Sequence, residues 1–117
     1  MTSPVQDLVE AEVLLRKYDN PAQANRVREC RETLEREGDA AYRHFAAGEW
    51  WGGAGSIADV NLHRLGQSQP TQEETDDNRR LRSALISIYA AMKVSGFTNA
   101  GAEKWTTVFR TWQKQGV

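Results

Sequence analysis

The 117-residue sequence contains few residues of several types that mark particular classes of protein. It has one cysteine, Cys30, which excludes an internal disulfide or a multi-cysteine metal site and fits a reducing compartment. Its two histidines, His44 and His63, have no second His or Cys at a metal-ligating spacing such as H-E-x-x-H. No apolar run approaches the roughly 18 residues of a membrane span, and the N-terminus lacks the pattern of a secretory signal. We therefore expect a cytoplasmic protein with no metal or other cofactor.

The sequence also lacks a strong excess of positive or of negative charge. Fifteen Lys and Arg stand against 16 Asp and Glu, which gives a formal net charge of −1. Without a global field of either sign, neither nucleic acid nor an anionic membrane is predicted as a partner. The sequence is 39% apolar and 26% charged, a composition typical of globular proteins, and its length predicts a single domain over residues 1–117.

Helix start and stop signals recur along the chain, and strand signals are nearly absent. The pairs Ser-Pro at 3–4 and Asn-Pro at 20–21 each place a capping residue before a proline at the first helical position. Asp39 is expected to cap a short helix that Gly48 ends, and Thr71 begins a capping-box pattern. Because segments of this kind bury one apolar face each, their succession predicts helices packed on one another.

The expected helices cover residues 4–18, 21–37, 40–47, 72–95 and 100–116, with the second and third either separate or one helix kinked at Gly38. A polar connection over residues 63–72 is expected to be exposed. The predicted fold is therefore an all-α, single-domain bundle of four to five helices with a glycine-rich central connection.

That central connection, EWWGGAGSIADVNL over residues 49–62, is the most unusual part of the sequence. Trp50 and Trp51 are adjacent and cannot both point inward from one helix face, so we expect at least one to be exposed. The glycines match neither a P-loop nor a dinucleotide fingerprint. We expect instead a tight turn in which Gly residues bring the backbone close to a helix, Ser56 caps the next turn and Asp59 binds loop amides.

No residue set forms a recognisable catalytic site. Cys30 lies near Arg28 and Arg31 in sequence but has no base at a suitable spacing, which favours a buried structural residue. The acidic residues are interleaved with arginines, a pattern typical of solvated helix faces. The sequence therefore predicts no enzyme activity.

The segment at residues 51–60, WGGAGSIADV, resembles a family of small uncharacterised bacterial helical proteins with a G-G-x-G-S-hydrophobic-x-D-[LV] motif. The resemblance extends to residue 92 through a helix face with Asn78, Leu81, Leu85, Ile88 and Tyr89. Such proteins resemble the immunity proteins that are encoded beside secreted bacterial toxins and neutralise them by binding. The resemblance implies a protein partner, a toxin. Because the sequence shows no secretory signal, we expect that toxin to act in the cytoplasm.

Eight residues are expected to contact that partner, either as aromatic anchors or as polar and acidic groups that occupy a basic cleft. They are Trp50, Trp51, Asp59, Asn61, Glu73, Glu74, Asp76 and Asp77.

Three alternatives remain open at this point. A ligand-binding or enzymatic domain would have a deep pocket over residues 52–56, with Asp59 and His63 as its polar groups. A homodimeric scaffold would associate through Trp50 and Trp51. A nucleic-acid-binding protein would use the basic residues of the fourth helix and its end, which are Arg79, Arg80, Arg82 and Lys93.

Overall fold

The computed structural model describes residues 3–46, 48–64 and 69–116, and this part of the chain contains helices but no strand. In order, the elements are α1 (Pro4–Lys17), α2 (Pro21–Glu37), a 3-10 helix (Gly38–Ala46), α3 (Gly48–Trp51), α4 (Gln72–Val94) and α5 (Ala100–Lys114). The predicted all-α bundle is confirmed.

Side-chain caps begin three of the long helices, and those at Ser3 and Thr71 are predicted from the sequence. The cap predicted at Asn20 is wrong, because the Asn20 side chain donates to the Tyr18 carbonyl at 3.1 Å and makes no capping bond to α2. The Ser3 hydroxyl accepts the amide of Gln6 at the start of α1, and Thr71 and Glu74 form a reciprocal capping box at the start of α4. At α5, the side chain of Asn99 accepts the third amide of the helix. Each cap satisfies amides that a helix leaves without an internal partner, so these starts are determined locally.

The segment after α2 differs from the prediction. Gly38, at a φ of 69°, ends α2 as expected, but the next helix is of the 3-10 type. Asp39 lies within this helix and does not cap it; its carboxylate accepts the hydroxyl of Ser95, 3.0 Å away. Gly48 begins α3 and does not end the preceding helix. Of the polar connection over residues 63–72, residues 65–68 lie outside the described part.

The helices pack around one hydrophobic core. The helical hairpin of α1 and α2 packs through α1 against α4, and α5 packs against α4 and α3. The 3-10 helix joins α2 to α3 and contacts both. Short α3 therefore lies between the 3-10 helix and α5, a position that determines the environment of its two tryptophans. None of the helices in the described residues combines the length and the apolar character that a membrane span requires.

Candidate functional site

Both tryptophans of the central segment are buried, so the expected exposure of one of them is wrong. Trp50 is 0% exposed and stacks on Phe45 with ring centroids 4.9 Å apart, while Trp51 is 3% exposed. The Trp50 indole N–H donates to the Cys30 sulfur at 3.3 Å, and the Trp51 indole N–H donates to the Phe45 carbonyl at 2.6 Å. The side chains of adjacent residues point in different directions from a helix. Both tryptophans are nevertheless buried, because α3 is one turn long and lies between the 3-10 helix and α5.

Cys30 is buried, as the sequence predicts. Burial raises the pKa of its thiol, and this effect outweighs the opposing hydrogen bond from Trp50. A thiol held in its protonated form is a poor nucleophile, so Cys30 is a packing residue of the core.

The glycine turn after α3 satisfies its own polar groups. The Gly52 carbonyl accepts the Ser56 hydroxyl at 2.9 Å and the indole N–H of Trp105 at 3.2 Å. Gly55, at a φ of 86°, donates its amide to the Asp59 carboxylate at 3.3 Å, and the Ser56 oxygen accepts the Asp59 amide. The predicted roles of Ser56 and Asp59 within the turn are confirmed.

The close approach of backbone to helix occurs at Gly101 of α5, and sequence reasoning missed this residue. A Cβ atom at position 101 would lie 2.6 Å from the Trp51 carbonyl oxygen. A Cβ atom at Gly52 would instead meet the Gly48 carbonyl of its own turn, at 2.5 Å. A glycine in the first turn of a predicted helix is the signal that was available, since glycine is disfavoured in helices unless space requires it.

The carboxylates of the predicted acidic cluster, Glu73, Glu74, Asp76 and Asp77, form hydrogen bonds or ion pairs within the molecule. Asp77 is 3% exposed; its carboxylate accepts the Tyr18 hydroxyl and the Lys17 ammonium, both at 2.7 Å. Lys17 also pairs with Glu73 at 3.2 Å, and Arg64 pairs with Glu73 at 2.6 Å. Burial would raise the pKa of Asp77, but the bonds from Lys17 and Tyr18 outweigh it and lower that pKa. Burial and then the bond to Asp77 raise the pKa of Tyr18 to about 12.

Glu74 and Asn78 bind the backbone of Leu62 and Arg64 to α4. The side chain of Asn78 accepts the Leu62 amide at 2.8 Å and donates to the Leu62 carbonyl at 3.0 Å, as a neighbouring strand would. The fully buried Glu74 accepts the backbone amides of Thr71 and Arg64, which lower the pKa of its carboxyl to about 2. Glu74 and Asp77, both predicted as partner contacts, are therefore buried and not on the surface, and their carboxylates accept hydrogen bonds from within the molecule.

The other four predicted contact residues are exposed. Asp59 binds the glycine turn, Glu73 belongs to the ion-pair network, and Asp76 accepts the side-chain amide of Gln72 at 2.9 Å. Asn61 lies at the edge of a polar depression of about 340 Å³ between the 61–63 segment and α4.

The larger concave feature is an open groove of about 590 Å³ between the glycine turn and the first half of α5. Its walls are Trp51, Gly52 and Gly53 on one side and Ala100, Gly101, Lys104, Trp105 and Val108 on the other. Trp105 is half-buried and Val108 is 38% exposed, so apolar surface remains accessible there. Among the described residues of this lining, Lys104 is the charged one. We call this feature the α5 groove.

The polar groups expected for an enzymatic pocket do not line the α5 groove. Asp59 bonds within its own turn, and the Nδ1 atom of His63 lies 3.1 Å from a Glu74 oxygen. In the described part of the chain, no group of three or more His, Cys, Asp or Glu side chains is placed to hold a metal ion.

The basic residues considered for nucleic acid are engaged within the molecule. Arg79 donates to the Gly116 carbonyl, and Arg80 pairs with Asp77 at 3.2 Å. The Arg82 guanidinium lies 4.6 Å from the centre of the Trp112 ring. Lys93 pairs with Glu103 at 3.2 Å. The four residues therefore do not present an open row of cations.

Comparisons of the chain with protein-family models, curated proteins and solved structures found no match in any of the three.

Proposed function

We propose that the chain is a non-enzymatic protein-binding module and, more specifically, an immunity protein that neutralises a cytoplasm-acting toxin by covering the active site of the toxin. The α5 groove carries the proposal, because it is an accessible and mainly apolar surface lined by the half-buried Trp105 and the exposed Val108. Surfaces of this kind anchor protein partners. The resemblance of residues 51–92 to proteins of the immunity type supports the finer assignment.

The contact surface in this proposal differs from the one expected from sequence. Trp50 is a core residue and contributes no anchor, whereas Trp51 reaches the α5 groove at its edge. In this proposal Trp105 and Val108 are the apolar residues that contact the partner, because both are apolar and accessible to solvent. The four exposed polar residues, Asp59, Asn61, Glu73 and Asp76, remain predicted contacts.

Co-expression with the protein encoded beside the gene of this chain tests the proposal. We expect that protein alone to arrest growth, and the pair to grow normally and to purify as a one-to-one complex. An unrelated helical protein of similar size, expressed at the same level, serves as the control for rescue. Normal growth with the neighbour alone, or arrest despite co-expression, would contradict the immunity role.

A small-molecule site in the α5 groove is the second candidate, because its volume of about 590 Å³ lies within the range of about 300–1,000 Å³ that ligand pockets occupy. A metabolite that raises the melting temperature in proportion to its concentration, and loses this effect in Val108→Asp, would favour it. Analytical ultracentrifugation tests the homodimer: a dimer of the wild type that Val108→Asp dissociates would establish self-association through this surface.

A further inference from the structure

Positive charge without an ion pair, a hydrogen bond or an aromatic contact lies on one helix in the described part of the chain. The sequence has 15 Lys and Arg, and ten of them form ion pairs in the structure. Arg79 donates to the Gly116 carbonyl, and the Arg82 guanidinium lies over the Trp112 ring. In the described residues the remaining three, Lys104, Arg110 and Lys114, have no ion pair, and all three lie on α5. Glu103, the acidic residue of this helix, forms an ion pair with Lys93 of α4.

One of these cations lies at the α5 groove. Lys104 lines the groove beside Trp105 and Val108, and no carboxylate is among the lining residues. The Trp105 ring is held in place because its indole N–H donates to the Gly52 carbonyl. The groove therefore offers a fixed apolar wall with a positive charge at its rim. Its electrostatic complement is an apolar side chain with a carboxylate close to it.

Resting on the proposed function, we propose that the α5 groove binds an acidic-apolar segment of the partner protein, with an aromatic or aliphatic side chain against Trp105 and Val108 and an adjacent carboxylate at Lys104. The partner segment at the α5 groove is then acidic, whereas the basic cleft expected from the sequence would lie opposite Glu73 and Asp76. A phosphate backbone fits less well, because Lys104 and Arg110 are six residues apart and project from different sides of the helix.

The first test measures binding of the toxin encoded beside the gene to purified variants, at low and at physiological salt. Lys104→Glu and Val108→Asp should each weaken binding by about tenfold or more. The effect of Lys104→Glu should be greater at low salt, because charge steers association. Arg28→Glu is the matched control: it makes the same change of charge on the exposed face of α2 and should change affinity by less than about twofold.

The outcomes separate the two proposals. If the toxin binds both groove variants as tightly as the wild type, the α5 groove is not the docking site, while the proposed function stands. If the wild type neither binds nor rescues, the proposed function fails, and a second test that needs no toxin decides the inference.

That second test titrates the wild type with two capped tripeptides, Glu-Phe-Glu and Lys-Phe-Lys, and follows the indole N–H signal of Trp105 by NMR. A single anchor should bind with a dissociation constant of about 1 mM. Saturable shifts with Glu-Phe-Glu alone, absent in Lys104→Glu, support the inference. Equal shifts with both peptides, or none with either, overturn it. Binding of anionic vesicles or of single-stranded DNA that depends on Lys104 would also overturn it, in favour of that partner.

Discussion

Replacing Gly101 with alanine tests the contact that positions α5 and one wall of its groove. In an ordinary helix this change stabilises the fold by about 0.5–1 kcal/mol, because alanine has less backbone freedom to lose. Here the new Cβ would lie 2.6 Å from the Trp51 carbonyl oxygen and 3.2 Å from the Trp51 Cβ. Both atoms belong to a buried residue, so α5 has to move away.

Overpacking of this kind costs about 1–3 kcal/mol. After the intrinsic gain of alanine is subtracted, we expect Gly101→Ala to destabilise the protein by up to about 2.5 kcal/mol. A loss of 1 kcal/mol lowers the urea midpoint by roughly 0.5 M at an m-value of about 2 kcal/mol/M. Urea unfolding followed by tryptophan fluorescence measures this shift directly.

Gly48→Ala is the matched control, because nothing lies within 4 Å of the Cβ position at this helical glycine. It should be neutral or stabilise by up to about 1 kcal/mol. If Gly101→Ala were as stable as Gly48→Ala, with an unchanged m-value, α5 would not approach Trp51 as closely as the structure indicates.

Three further predictions concern the bonds that α4 makes. Asn78→Ala removes the two hydrogen bonds that the side chain makes to the buried Leu62 amide and carbonyl. It should lower the free energy of unfolding in urea by about 1–3 kcal/mol and speed hydrogen exchange at the Leu62 amide. Unchanged exchange would show that Asn78 does not hold this backbone. Tyr18→Phe removes a hydrogen bond to the charged Asp77 and should also cost about 1.5–3 kcal/mol, whereas an unchanged urea midpoint would show that the bond contributes nothing. The pKa of Glu74 is lowered from 4.5 to about 2, so its contribution is full above pH 4.5 and is lost as the pH falls toward 2. Glu74→Gln should therefore be less stable at pH 7 and lose less stability than the wild type between these values, and parallel pH profiles would contradict this.

Helix ends that are determined by residues close in sequence could be predicted. The packing of side chains, which depends on residues far apart in sequence, could not. Ser3 and Thr71 begin their helices with bonds to amides three residues away, so the signal is local, whereas Asn20 precedes α2 without such a bond. The burial of Trp50 and Trp51 depends on α3 being enclosed by the 3-10 helix and α5, which no spacing in the sequence reveals.

The same distinction applies to the charge of the candidate site, because the sequence predicts an acidic contact surface whereas the proposed α5 groove has a lysine in its lining. Glu73, Glu74, Asp76 and Asp77 look like a free acidic surface in sequence, but Lys17 reaches two of them from 56 and 60 residues away. Ten of the 15 arginines and lysines form ion pairs among the described residues, whereas α5 keeps three cations without one and its Glu103 pairs with Lys93. Long-range recognition depends on the charge that remains after internal pairing, and not on the composition of a segment. If α5 is the docking helix, its partner must therefore bring the carboxylates, and a toxin with a strongly basic contact face would be repelled by Lys104.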